Sequence, residues 1–542
     1  MRRLALSAAM IAIGISLGAT AYAMPGAGSR AGAQLKDGGT FRIDQVAPID
    51  FVDPALAYAL SSWMLLHATC AKLMNYPDQP PPAGRRPVPE IAAGYRVTPD
   101  GKTYTFTLRR GFRFNNRARL DARSFKRGIE RLMDPKMESP AVDAGYVQDI
   151  VGADEVLAGR ASSPSGVVAR GNRLVIRLER PIPDFAARLA MPFFCAVPPG
   201  LPADPEGVRA YASAGPYYVA EFRPGQRVVL RRNPYYGGKR PHHVRTFVLD
   251  NTLSSQRAVV ERIERGQADW GWTEATLLQG DGPALVRKYG RNRARLFVKP
   301  APFLRYFVLN SERPLFRSAR LRRAVSYAVN RVALAREHGY QVVRPSDQYL
   351  PIGFPGFRDA HIYPLKGDVR QAKALAGRRF KGAKAALYTV DLPIPRALAQ
   401  IVRRNLARIG LRIEIEAFPI NVLLAKLETP GERFDIAWGF GWGADYGDPY
   451  GILNILFRNP GGGKANIARF NSPRYNRLLN RASRLSGAKR YRAYGNLDVT
   501  LARKAAPLIA YGTDNVWTFV SKRVGCKILR PELDLAAVCL KR

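Results

Sequence analysis

Residues 434–450 read Phe-Asp-Ile-Ala-Trp-Gly-Phe-Gly-Trp-Gly-Ala-Asp-Tyr-Gly-Asp-Pro-Tyr. Asp445 and Asp448 could each anchor an ammonium group, because an ionised carboxylate only accepts hydrogen bonds. Trp442 offers a flat apolar wall with one donor. Gly439, Gly441 and Gly443 leave peptide N–H and C=O groups open to a ligand. Aromatic walls, open backbone and an anionic anchor suit a pocket for a small cationic or zwitterionic molecule. Composition alone favours a plainer reading: a strand end and tight turn, with the tryptophans in the core and Asp448-Pro449 starting a helix.

The flanking elements shift that balance. Lys384 to Val390 reads as a strand, Ile394 to Ile409 as an amphipathic helix closed at Gly410, and Leu411 to Ile415 as the next strand. Val422 to Leu427 is a short helix, and Phe434 onward is a strand again. This order is a βαβ unit, right-handed within one sheet. Ligands in such sheets sit beyond the carboxyl ends of the strands, which puts Trp442 to Asp448 at a ligand-side edge.

Elsewhere the chain mixes hairpins and helices. Thr103 to Leu108 alternates as a half-buried strand, and Asp121 is placed to cap a helix running to about Met133. Asn172 to Leu178 alternates likewise. Gln226 to Arg231 pairs with the strand opening at Ala214 across a Pro224-Gly225 turn. Asp53-Pro54 reads as a helix start, and Ser318 to Glu337 as one helix with an apolar stripe.

The 542 residues suffice for two to four domains, or one large α/β body with insertions. A formal net charge of +42 comes mainly from arginine, 66 of the 85 basic residues. The arginines run along the entire chain without a zinc-finger spacing, an RNP-like motif or a basic low-complexity tail, so the charge reads as a diffuse surface property. Residues 1–23 have the form of a Sec-type export signal: Arg2 and Arg3, a short apolar run from Leu4 to Leu17, then Ala21-Tyr22-Ala23. No cysteine near that cleavage point could carry a lipid anchor, and residues 24–38 read as a flexible lead. Four cysteines in an exported chain permit disulfides, and Cys526 with Cys539 would close a short C-terminal loop, but spacing leaves the connectivity open. The five histidines and four cysteines show no metal-ligand spacing, so no metal or cofactor is expected. No nucleophile elbow, P-loop or Cys–His pairing is present, so an enzyme is not expected.

Five segments in order resemble one family. They are Phe51-Val52-Asp53-Pro54-Ala55; Pro89-Glu90-Ile91-Ala92 with Asp100 to Arg109; Ala214-Gly215-Pro216-Tyr217; Arg232-Asn233-Pro234-Tyr235-Tyr236; and Leu321 to Arg331. From about 39 to 525 the chain resembles the family 5 extracytoplasmic solute-binding proteins of ABC importers, the peptide, oligopeptide and nickel class. The resemblance implies an α/β fold of periplasmic-binding-protein type II, two lobes with a hinge plus an extra α+β subdomain. It implies lobe I at 39–68, 191–300 and 512–542, the extra subdomain at 69–190 and lobe II at 301–511. Trp442-Gly443-Ala444-Asp445-Tyr446 matches the family context in which the aspartate pairs with a peptide's N-terminal amine. That makes Asp445 the implied amine anchor, Gly441 a backbone contact, and Trp442, Tyr446 and Tyr511 implied lining residues. Asp448 then falls to the cap of the helix after Pro449. The family's basic partner for a peptide carboxylate has no counterpart beside Gly441, where Gly439 and Phe440 stand.

The implied function is peptide capture in an interlobe cleft and delivery to a membrane permease, with a separate ATPase subunit. The protein is expected to be a periplasmic or secreted monomer with no specific nucleic-acid partner. Two alternatives stand beside it: the same fold holding a nickel chelate, oligosaccharide, opine or haem, and a secreted basic protein that adheres to polyanions or membranes.

Overall fold

The structure, a computed structural model, describes residues 35–46, 48–80, 83–253, 255–272, 281–439, 441–459, 465–529 and 533–542. The export signal, most of the flexible lead and Phe440 lie outside the described residues. Among those described, no helix is long and apolar enough to cross a membrane.

A five-stranded sheet is assembled from both ends of the first 272 residues. Its order is Trp270–Trp272, Thr40–Gln45, Thr246–Asp250, Arg227–Arg232, Tyr217–Arg223. The first three strands are parallel, and the last two join as antiparallel partners. Period-2 alternation turns Phe41, Ile43, Leu230 and Phe247 into one buried layer. The Pro224-Gly225 turn works as the sequence predicts, with Gly225 at φ 69°.

A four-stranded antiparallel sheet, ordered Ala92–Val97, Thr103–Leu108, Arg173–Arg177, Val167–Arg170, carries the alternating segments. Helix Ala122–Met133 packs on it, and Asp121 caps that helix by accepting from the Arg123 amide at 2.8 Å. The helix delivers Arg131 to Asp53, where two hydrogen bonds of 2.9 and 2.6 Å form a fully buried ion pair. This corrects the reading of Asp53-Pro54 as a helix start. Asp53 closes one isolated turn, and the first long helix begins at Leu60. The carboxylate accepts from the Ala55 amide of that turn at 3.0 Å as well as from the buried guanidinium, but no helix continues from it.

A seven-stranded sheet dominates the second half. Its path is Val343–Pro345, Leu508–Phe519, Leu296–Leu309, Ile436–Trp438, Lys384–Val390, Arg412–Phe418, with Trp442–Gly443 also on Leu296–Leu309. Lys384–Val390 is parallel to both Arg412–Phe418 and Ile436–Trp438, which is the anticipated βαβ arrangement. The anticipated single helix over 318–337 is two, Ala319–Ala328 and Arg331–Glu337. Asn330 divides them: its side chain accepts from the Ala333 amide at 2.9 Å and caps the second helix.

Strands Leu296–Leu309 and Leu508–Phe519 are shared by separate cores. Leu296, Val298, Trp517 and Phe519 pack with Val259 and Ile263, whereas Phe307, Leu309 and Ile509 pack with Leu387 and Leu398. Between these halves the register slips, from Pro300 opposite Asn515 to Leu304 opposite Thr513. Such a bulge interrupts the ladder and adds local twist.

Both pairs of cysteines are joined: Cys70 to Cys195 across 125 positions and Cys526 to Cys539 across 13.

Candidate functional site

The loop after strand Ile436–Trp438 owes its shape to glycine. Gly441 sits at φ 113°, where a side chain is strained, and a Cβ there would collide with the Phe303 ring. Its N–H donates to the Gly439 carbonyl. Trp442–Gly443 then pairs antiparallel with Phe303 and Leu304. Trp442 is half-buried against the core of the seven-stranded sheet, and its indole N–H donates to the Gly451 carbonyl at 2.8 Å. Both bonds are internal: the Trp442 indole donor is spent within the loop, and Gly441 is a backbone position pressed against Phe303.

Asp445 leaves this loop toward residues far away in the chain. Its Oδ2 accepts from the Tyr58 hydroxyl at 3.0 Å and from the Tyr146 hydroxyl. Tyr58 precedes helix Leu60–Thr69, and Tyr146 belongs to the segment between the strands of the four-stranded sheet. Burial raises the Asp445 carboxyl above the ordinary range, and the two phenolic donors only partly offset it. Among the described residues Asp445 makes no ion pair. A half-buried carboxylate with two neutral donors and no ion pair among the described residues has room for positive charge, which an ammonium group would supply.

The residues beside it do different work. Tyr446 is buried, and its hydroxyl donates to Asp184 Oδ2 at 2.6 Å. The Gly447 amide donates to the Tyr76 hydroxyl at 2.8 Å. Asp448 accepts from the Tyr450 amide at 2.9 Å, as a cap, and also binds Arg490 at 2.7 Å. Arg490 reaches Asp184 at 3.2 Å, and Arg188 reaches Asp184 and Asp149 at 3.3 Å each. Burial opposes ionisation of Asp184, but Arg188 and Arg490 outweigh it and hold the carboxyl below its usual range. Tyr446 is thus tied into a buried ionic cluster that joins the loop to the four-stranded unit. Tyr511 is fully buried on strand Leu508–Phe519, with its hydroxyl 2.8 Å from His338 Nε2. The site contacts bring Asp445 and Tyr446 against the opposite body, keep Gly441 and Trp442 beside them, and do not include Tyr511.

The model for "Bacterial extracellular solute-binding proteins, family 5 Middle" matches residues 86–464. The chain belongs to that family. Among curated members, it is 24% identical over 425 residues to the oligopeptide-binding protein OppA of Bacillus subtilis (strain 168), covering 74% of each chain. It is 26% identical over 447 residues to the probable deoxycholate-binding periplasmic protein YgiS of Escherichia coli (strain K12), covering 78% of this chain and 79% of that one. Among solved structures, it resembles clavulanic acid biosynthesis oligopeptide binding protein 2 with a TM-score of 0.83 at 24% identity, over 94% of this chain and 96% of that one. The family 5 fold is two α/β lobes, and these relatives are named as binding proteins.

Within this family 5 chain, the residues that sequence reasoning missed are those that face Asp445 from elsewhere. Tyr58 and Tyr146 stand 387 and 299 positions away. Neither belongs to a motif, and an isolated tyrosine carries no local signal of its partner. Asp184 and Arg490 are equally silent in the sequence.

Proposed function

We propose that this protein captures di- or oligopeptides between its lobes and delivers them to an ABC permease and its ATPase, with Asp445 pairing to the peptide's α-ammonium. The carrying observation is the Asp445 carboxylate, half-buried between two phenols from distant segments and making no ion pair among the described residues. Trp442 walls the adjacent slot, and Gly441 presents backbone there. The oligopeptide-binding relatives support the ligand class. Ligand uptake draws the lobes together about the bulge between Pro300 and Leu304, since a ligand touching both lobes favours the closed state. The five-, four- and seven-stranded sheets support the assignment of 39–68, 191–300 and 512–542 to lobe I, 69–190 to the extra subdomain and 301–511 to lobe II. The relatives and the export-like N-terminus support a periplasmic site of action.

Titration calorimetry with a mixed peptide library tests this reading. The Asp445→Ala protein is expected to fold and to lose binding. Unchanged affinity would remove Asp445 from the site. Binding of haem or a nickel chelate in place of peptides would overturn the ligand class.

A further inference from the structure

The net charge is not spread evenly over the folded molecule. Among the described residues ten aspartates but only seven basic side chains are buried, so the surface keeps the basic excess. Over the whole chain cations outnumber carboxylates 85 to 43. Segments 370–384 and 403–414 together hold ten cations, six and four, and one carboxylate, Glu414. All ten cations are exposed, and Glu414 is already bound to Lys384 at 2.8 Å.

The fold brings these segments to one place. They run into the N-terminal ends of the parallel strands Lys384–Val390 and Arg412–Phe418, in which Lys384 lies beside Arg412. The Gly382 amide donates to the Gly410 carbonyl at 3.3 Å, and the Arg412 amide to the Ala383 carbonyl at 2.8 Å. Helices Val369–Ala376 and Pro393–Ala407 both end at this pole. Each helix C-terminus presents only about half a negative charge, so dipole compensation accounts for about one cation of the ten. Asp445 lies beyond the opposite ends of the strands. Seven residues at about 3.3 Å each separate the two ends by about 20 Å.

We propose that this pole of the second lobe docks on the phosphate-rich headgroups of an anionic lipid bilayer, holding the protein at the membrane while its cleft stays free. Arginine forks fit phosphate oxygens in pairs. The one aromatic residue of the two segments, Phe380, is fully buried, so the pole offers no stacking platform for single-stranded nucleic acid. A concentration of cations at a membrane surface gains about fivefold in affinity for each.

The purified protein is to be sedimented with phosphatidylglycerol-containing and neutral phosphatidylcholine vesicles over a salt series. Arg378, Arg379, Lys381 and Arg408 are changed together to Gln. A control changes the four exposed arginines Arg110, Arg170, Arg173 and Arg177 of the four-stranded unit. The expected result is salt-sensitive binding to the anionic vesicles, weakened about 600-fold in the pole variant and within about threefold of wild type in the control. Equal losses in both variants overturn the localisation, and so does failure of the unchanged protein to bind at low salt. Tighter binding to duplex DNA than to vesicles, lost in the same variant, overturns the lipid assignment. Thermal melts of both variants show that they fold. Peptide affinity is measured in parallel and is expected to be unchanged in the pole variant.

Discussion

Tyr446 donates its hydroxyl to Asp184 across 262 positions of the chain, and the residue before it is the proposed ammonium anchor. The anchor loop is therefore fastened to the four-stranded unit independently of any ligand. Removing that hydroxyl with Tyr446→Phe leaves Arg188 and Arg490 on Asp184 and should cost about 1.5–3 kcal/mol, the usual range for a bond to a charged group. Arg490→Met should cost more, about 3–5 kcal/mol, because it strands Asp448 as a buried charge while Asp184 keeps Arg188. Chemical denaturation of the three proteins checks the order. Equal stability of the two variants would show that the cluster is already opened to water.

Ligand binding should weaken as the solution is acidified. Burial raises the Asp445 carboxyl, so it takes up a proton at higher pH than an exposed aspartate, and a proton and an ammonium compete for the same oxygens. The donors Tyr58 and Tyr146 act in the opposite direction, holding the carboxyl down. Replacing both with Phe should therefore move the acid midpoint of peptide binding upward. Calorimetry across pH reads this directly. A midpoint that does not move would mean that another group sets the pH dependence.

Local elements were legible because their signals are local. Strict alternation located Thr103–Leu108, and Lys384–Val390 was bounded correctly from its apolar run. Asp121 capped as read. The order of elements also placed Trp442–Asp448 beyond the strand ends. What the sequence hid depends on distant partners. Asp53 beside Pro54 has the local form of a helix start, yet Arg131 claims it. Asn330 looked like a helix interior residue until its side chain closed on the Ala333 amide. Asp445 and Asp448 are three residues apart and chemically alike, but one meets two phenols and the other a guanidinium. No window around residue 445 contains Tyr58, Tyr146 or Arg490.

Asp498 should make stability depend on pH. It is fully buried between the Gln348 amide at 3.0 Å and the backbone amides of Tyr349 and Leu350 at 2.9 and 3.4 Å. Burial pushes its carboxyl up to about 7, the three donors pull it down, and Asp347 nearby raises it again. The folded state thus keeps a proton that the unfolded chain releases near pH 4. Stability from this group is present below the unfolded value and declines as pH rises to about 7, then levels off. Denaturation midpoints at pH 5 and pH 7.5 should differ in that direction. Asp498→Asn should reduce the slope, while losing about 1 kcal/mol through the bond to Gln348. An unaltered slope would assign the effect to other carboxylates.

The two disulfides should contribute unequally. Cys70–Cys195 closes a loop of 125 positions and Cys526–Cys539 one of 13. Chain entropy assigns about 4.7 kcal/mol to a loop on the order of 100 residues and about 3 kcal/mol to one of about 15. The longer bridge also joins the end of helix Leu60–Thr69 to the segment after Pro192–Phe194, inside the core that they share with the four-stranded unit. Scanning calorimetry should therefore show a larger fall in melting temperature for Cys70→Ala/Cys195→Ala than for Cys526→Ala/Cys539→Ala. A reversed order would mean that the C-terminal bridge, rather than the longer one, limits unfolding.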